Sequence, residues 1–392
     1  MADSKNFLLS RRGFLAGACC AAAAPVLTPV TFAAMPGERR FVTIILRGAM
    51  DGLDFVQPYA DPAFAALRPK LAVTPDAGLL DLDGFFGLNP VASALMPLWQ
   101  TRELSFAHAV STPYRNQRSH FDGQDMLETG GNGKGERSGW LNRAIGVIPR
   151  SEARKAIDVS TSMELILSGP NAADSWSAQS DFALADDEIA FLEQLYASDE
   201  AFSRALAEAR NADAAADILN SGGRARAKVA DIARLAGGML RNEYRIASFS
   251  INGWDTHAGQ KAQFARAAGD LATAITTLKE TLGPEAWSQT VVLALTEFGR
   301  TARENGSGGT DHGTGGLAII AGGGFPGGKV LGQWPGLADD KLLDGRDLMP
   351  TGDVREVAAA MLFRQFGVTP EDLTGKVFPG LAFDRASIYL RG

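Results

Sequence analysis

Three of the four histidines in this chain sit in short motifs that pair them with a carboxylate: Ser119-His120-Phe121-Asp122, Trp254-Asp255-Thr256-His257 and Thr310-Asp311-His312-Gly313. The fourth, His108, lies a dozen residues before the first. Carboxylate with neutral imidazole is the ligand set that zinc and similar divalent metals favour. The chemistry to expect first is therefore metal-dependent hydrolysis, in which the ion lowers the pKa of a bound water or of a serine hydroxyl and neutralises developing charge. Arg115, Arg118 and Arg300 lie close in sequence to these motifs. Their guanidinium forks suit phosphate or sulfate oxygens, although each also reads as an ordinary surface ion pair.

Such residues are far apart in sequence, so the fold must gather them. Phe41–Leu46 is a continuous apolar run that reads as a buried parallel strand, and it stops at a glycine-flanked turn carrying Asp51. A second strand is expected over Leu104–Val110, followed by a helix over Ser119–Glu128 with Ser119 as N-cap. A strand over Arg245–Ile251 leads to Asp255, and a long helix follows from His257 to about Leu282. The clearest strand, Thr290–Leu295, ends at Glu297, and a short one over Leu317–Ala321 follows Asp311-His312. A last helix is expected over Asp353–Phe366. Alanine, glutamate and leucine at helical spacing between about 185 and 245 predict a helical insertion. Strands alternating with helices imply a three-layer α/β/α sandwich with a mainly parallel sheet, in which Asp51, Asp255 and Glu297 all lie at strand ends. Carboxylates gathered on one edge repel unless a cation lies among them.

Every element has a plainer reading. Asp51 is also an ordinary turn residue, Asp255 a helix N-cap, and Asp311-His312 part of a flexible glycine-rich loop. Ser119 is either a nucleophile at the positive end of a helix or simply its N-cap. Ser111 and Thr112 remain alternatives, because Ser111-Thr112-Pro113-Tyr114-Arg115 has the Ser-x-Pro-x-Arg spacing of a sulfatase signature without the rest of it. His120 is read as a ligand or as a donor to substrate, and His108 as a satisfied core histidine. Gly322-Gly323-Gly324 lacks the following Lys-Ser/Thr of a phosphate loop.

The N-terminus reads as an address. Ser10-Arg11-Arg12-Gly13-Phe14-Leu15 is a twin-arginine box, followed by an apolar stretch to about Phe32 and small residues at Ala33 and Ala34. Residues 1–34 are expected to be removed after export by the twin-arginine translocase. That leaves a single periplasmic or secreted domain over 35–392. Pro25 and Pro29 break the apolar run, so no stable membrane span is expected. Both cysteines, Cys19 and Cys20, fall in the leader, which leaves no disulfide or thiolate chemistry afterwards. A net charge of −7 without a basic run argues against nucleic acid as a partner.

At Gly48-Ala49-Met50-Asp51-Gly52-Leu53-Asp54, Ser119-His120-Phe121-Asp122-Gly123-Gln124-Asp125, Ser138-Gly139-Trp140-Leu141, Asp255-Thr256-His257, Glu297-Phe298-Gly299-Arg300-Thr301 and Gly309-Thr310-Asp311-His312-Gly313 the chain resembles the DUF1501 family of exported bacterial proteins. That family is in turn remotely similar to the alkaline phosphatase and sulfatase superfamily. The resemblance implies an alkaline phosphatase-like domain binding one or two divalent ions, zinc first and manganese, magnesium or calcium as alternatives. The metal ligands would be Asp51, Asp255, His257, Glu297, Asp311 and His312, with Ser119, Arg118 and His120 catalytic. Phe298 stands where the superfamily has a metal-binding histidine, so Asp255, His257 and His312 form the more complete site. The implied function is hydrolysis of a phosphate or sulfate ester, with a small anionic ester or a glycan as substrate. The alternative is a non-catalytic exported protein of the same fold that binds a metal, a glycan or a protein.

Overall fold

The structure is a computed structural model that describes residues 38–115, 118–131, 136–150, 155–160, 164–176 and 228–391. The expected export leader at 1–34 and most of the expected helical insertion, up to residue 227, lie outside the described residues.

The described residues form an α/β fold around a nine-stranded mixed sheet. Its strands are β1 (Arg40–Arg47), β2 (Leu104–Ser111), β3 (Ala156–Val159), β4 (Asp174–Trp176), β5 (Ile246–Asn252), β6 (Thr290–Leu295), β7 (Gly316–Ala321), β8 (Val330–Leu331) and β9 (Gly352–Asp353). Their spatial order is β8-β2-β7-β6-β1-β5-β3-β4, with β9 also pairing with β2. β7 runs antiparallel to both its neighbours, and every other pairing is parallel.

The apolar run of β1 is continuous because both faces of the strand are covered. Val42, Ile44 and Leu46 join one core, and Phe41 and Ile45 join the other. The first core is closed by the helix Val229–Arg241 and the long helical stretch Gln260–Ser288, which breaks at Gly283 (φ 72°), and the second by Trp140–Val147 and Val354–Phe366. The helix Val229–Arg241 lies within the stretch where the insertion was expected. The long helix starts at Gln260 rather than His257, because Gly259 precedes it in the left-handed region (φ 56°). Asp255 is thus free of the capping role that its sequence position offered.

Register decides what the sheet can bring together. Arg47 of β1 lies opposite Asn252 of β5, and Ile45 lies opposite Leu295 of β6. These three strands therefore release their chains along the same carboxyl edge, where open parallel sheets bind ligands. The reversed β7 adds its beginning to that edge: Gly316 pairs with Val110 near the end of β2. A loop entering an antiparallel strand thus meets loops leaving parallel ones.

Gly48, just beyond β1, shows how closely those loops pack. Its φ is +116°, and an added Cβ would lie 2.6 Å from the amide nitrogen of Asp255. Gly48→Ala therefore combines backbone strain with a clash. We expect it to lose on the order of 2 kcal/mol of stability or more, read as a lower urea midpoint at unchanged m-value.

Candidate metal centre

Four side chains from three stretches of chain converge on the carboxyl edge. Asp255 and His257 follow β5. His312 lies in the loop that enters β7, and His120 is the first residue of a ten-residue helix, His120–Thr129, reached through the loop after β2. Nε2 of His257 lies 3.0 Å from Nε2 of His312, and these atoms are 3.1 and 3.2 Å from the same Asp255 Oδ1. His120 Nε2 faces the other oxygen, Asp255 Oδ2, at 3.4 Å. Ligand atoms of His120, Asp255 and His312 all lie within 4.8 Å of one another, so these three form a group able to hold an ion.

The opposite ring nitrogens explain why the Nε2 atoms point together. His120 Nδ1 bonds Glu297 Oε1 at 2.8 Å, His257 Nδ1 bonds Asp311 Oδ1 at 3.1 Å, and His312 Nδ1 bonds the Arg118 carbonyl at 2.9 Å. Ionised carboxylates and carbonyls only accept, so each Nδ1 must carry the proton. In a neutral ring the Nε2 lone pair then faces the cluster. Orienting a ligating imidazole through its far nitrogen is the usual arrangement around protein-bound metals. His120 Nε2 is also enclosed and without a hydrogen-bond partner.

The groups behind the cluster are held by the interior. Glu297 is fully buried. Its Oε1 also accepts from the Gly48 amide (2.9 Å) and Gln124 Nε2 (3.2 Å), and its Oε2 accepts from Thr296 Oγ1 (3.0 Å). Burial pushes the Glu297 carboxyl up, but these donors, His120 foremost, outweigh it and leave it below the ordinary range. The same bond, aided by the charges of Glu297 and Asp255, raises His120 against the burial that opposes it. Burial lowers His312. Asp255, half exposed, is raised by partial desolvation but brought below its ordinary value by the hydrogen bond and charge of Arg300.

Arg300 is 1% exposed. Its guanidinium donates to the carbonyls of Ala49 (2.8 Å), Gly48 (2.9 Å), Trp254 (3.0 Å) and Thr310 (3.1 Å) and to Asp255 Oδ1 (2.6 Å). It is an internal brace rather than a substrate clamp, contrary to the expectation from its type and position. Arg118, by contrast, is exposed beside His120, with its backbone in the left-handed region (φ 54°).

The remaining sequence candidates have other partners. Asp51 is buried and its carboxylate is taken by Arg68 Nη1 (2.7 Å) and Gln260 Nε2 (2.7 Å), so it is paired with a guanidinium rather than with the imidazoles. Glu297 and Asp311 each hold a histidine from behind. Ser119 caps its helix, accepting from the Asp122 amide at 3.4 Å. Thr112 is buried and donates to the Glu297 carbonyl, while Ser111 ends β2 with its hydroxyl buried. His108 is buried, bonded to the Val56 carbonyl and stacked on Phe86; burial lowers it to about 4. Phe298 is 4% exposed and stacks on both His120 and Tyr114, with centroids 5.3 and 5.9 Å away. It fills space beside the cluster that a polar ligand would otherwise occupy.

A family profile described as "Protein of unknown function (DUF1501)" matches residues 99–377. The chain belongs to the DUF1501 family. All four converging side chains lie inside the matched span, whereas the Asp51 turn lies before it. No curated protein matches this DUF1501 chain significantly.

Removing the Arg300 side chain would leave four rim carbonyls and Asp255 without their shared donor. Arg300→Ala should cost at least about 3 kcal/mol in urea unfolding of the metal-free protein. Arg300→Lys should recover little of that, because one ammonium cannot span the same fork.

Proposed function

We propose that this chain is an exported, metal-dependent hydrolase of phosphate or sulfate esters, built around a single divalent ion held by Asp255, His257, His312 and His120. One observation carries the reading. Three imidazoles have their Nδ1 protons engaged by fixed oxygens, and their Nε2 lone pairs face one carboxylate.

The donor set fits a first-row divalent ion. Metal–nitrogen bonds of about 2.0 Å place tetrahedral ligands roughly 3.3 Å apart, close to the 3.0–3.2 Å separations among Asp255, His257 and His312, while His120 Nε2 lies 3.4 Å from the other Asp255 oxygen. Imidazole nitrogen with one carboxylate oxygen favours zinc, and manganese is the runner-up. With no cation present the Nε2 lone pairs and the carboxylate would repel one another unless the rings were protonated. When bound, the ion would supply Lewis acidity and make water a competent nucleophile near neutral pH.

The chain's own residues account for the rest. Glu297 keeps the His120 proton on Nδ1, Asp311 does the same for His257, and Arg300 keeps Asp255 ionised. Arg118, exposed beside His120, is placed to meet an anionic oxygen. The helix that begins at His120 turns its positive end to the same side, which favours a negative substrate. Ser119 already caps this helix, so water is the simpler nucleophile. Phe298 and the Arg68-paired Asp51 argue for one ion rather than two.

A binding role without turnover is the second reading, and Phe298 favours it, since a buried ring stacked on His120 stands where a further ligand would be needed. The two separate in one experiment. Protein purified without chelator should carry close to one equivalent of zinc or manganese by elemental analysis and should hydrolyse aryl phosphate or aryl sulfate esters. His257→Ala and His312→Ala should each lower metal affinity at least about tenfold, in the range typical of lost metal-site contacts. Metal without turnover of either ester supports the binding protein, and absence of metal from both the purified and the zinc-reconstituted protein refutes the site.

A further inference from the structure

Gln260 is fully buried at the start of the long helix, directly behind the two loops that carry three of the four proposed ligands. Its amide is saturated in a way only an amide allows. Oε1 accepts from Thr256 Oγ1 (2.9 Å) and Thr310 Oγ1 (2.8 Å). Nε2 donates to Asp51 Oδ2 (2.7 Å) and Asp54 Oδ2 (2.8 Å). Thr256 lies between Asp255 and His257, and Thr310 directly precedes Asp311 and His312. The two loops also touch through their backbones: the Thr310 amide donates to the Thr256 carbonyl (3.2 Å), and the Gln260 amide donates to the Gly308 carbonyl (2.9 Å).

We propose that Gln260 is a positioning residue that locks the 255–257 and 310–312 loops in mutual register, using the buried Asp51–Asp54–Arg68 cluster as its anchor. The proposal rests on the metal reading only for its effect on affinity; the locking itself is a property of the metal-free chain.

The polarity of the amide is what matters. Two hydroxyl donors on one side require an acceptor, and two carboxylates on the other require a donor. A flipped amide would set its oxygen against both carboxylates. The anchor is fixed independently. Arg68, with no exposed surface, binds Asp51 Oδ2 (2.7 Å) and the carbonyls of Thr301 (2.7 Å) and Ala302 (3.0 Å). Asp54 Oδ1 accepts from Asn89 (2.9 Å) and Gln57 (3.0 Å). Only Asp51 is bonded to the guanidinium, and burial together with the Asp51 charge pushes Asp54 up to about 6. Gln260 is thus the donor that the pair lacks, and it passes the anchor's rigidity to the ligand loops.

The test uses Gln260→Glu, which keeps shape and reverses polarity, with hydrogen exchange of the metal-free protein and zinc affinity by chelator competition. Exchange at the Thr310 and Gln260 amides should quicken at least tenfold while Ile44 in β1 stays protected, and zinc should bind at least tenfold more weakly. Adding Asp54→Asn should restore part of both effects, because the new amide at 54 can donate to the new carboxylate at 260 while still accepting from Gln57 and Asn89. Should Gln260→Glu fail to fold, Thr310→Val removes one hydroxyl donor alone and should quicken the Thr310 amide by a smaller factor. Unchanged local exchange in whichever of these variants folds overturns the proposal even if zinc binds. Failure of wild-type protein to bind zinc overturns the metal reading and leaves the exchange result to decide the role of Gln260.

Discussion

Burying a guanidinium costs several kcal/mol unless its N–H groups find acceptors, and Arg300 finds five at the rim of the sheet. The acceptors belong to the turn after β1, the loop after β5 and the loop entering β7. Arg300 itself follows β6. One side chain therefore ties three loops at the sheet edge, and its contact with Asp255 favours the ionised form of that carboxyl. Gly48 is part of this constraint: its carbonyl accepts from Arg300, its amide donates to Glu297, and its missing side chain lets the Asp255 backbone approach. The rim loops are shaped by the chain's own buried donors and acceptors.

Phe298 follows from the same economy of space. Glu297 turns its carboxylate inward to His120 and the Gly48 amide, so the next residue is directed to the cluster's flank, where it stacks on His120. A polar ligand there would lack the buried hydrogen bonds that hold the other histidines. An aromatic ring needs none, and it stiffens the His120 ring by contact. Asp51 completes the contrast. Its sequence context resembles a metal-site turn, yet a buried arginine seventeen residues on claims the carboxylate. The result is a chain with one well-formed cluster and, among the described residues, no second one.

The strands that deliver the site could be read from sequence because they are buried on both faces, and continuous apolar runs such as Thr290–Leu295 have few other interpretations. Ser119 as helix N-cap was legible for the same local reason. The direction of β7 was not, since six apolar residues carry no sign of orientation, and that reversal is what brings His312 to the rim. The short strands Ala156–Val159 and Asp174–Trp176 lacked enough length to stand out. Within the site, residue type marked Asp255, His257 and His312, but it could not separate the side chains that face the cluster from the groups behind them. Glu297 and Asp311 look the same as Asp255 in sequence; only the structure shows that they bond Nδ1 atoms on the far side of the rings. Gln260 and Arg300 carried no signal of their roles, because their importance comes from partners hundreds of positions away or across a loop.

Exposure divides the site into two tiers with different physical demands. The side chains facing the cluster are partly open, with Asp255 and His257 at 45%, His120 at 24% and His312 at 16%. Glu297, Arg300 and Gln260 behind them are closed off from solvent. Partly open side chains leave the cluster accessible to small solutes, but exposed side chains hold their rotamers poorly on their own. Closed partners hold geometry, but a charge there is tolerable only when fully bonded. Placing the variable atoms outside and the bonded charges inside satisfies both demands. It also means that precision at the rim is set by the interior, where the carboxyl edge of the sheet and the buried polar groups meet.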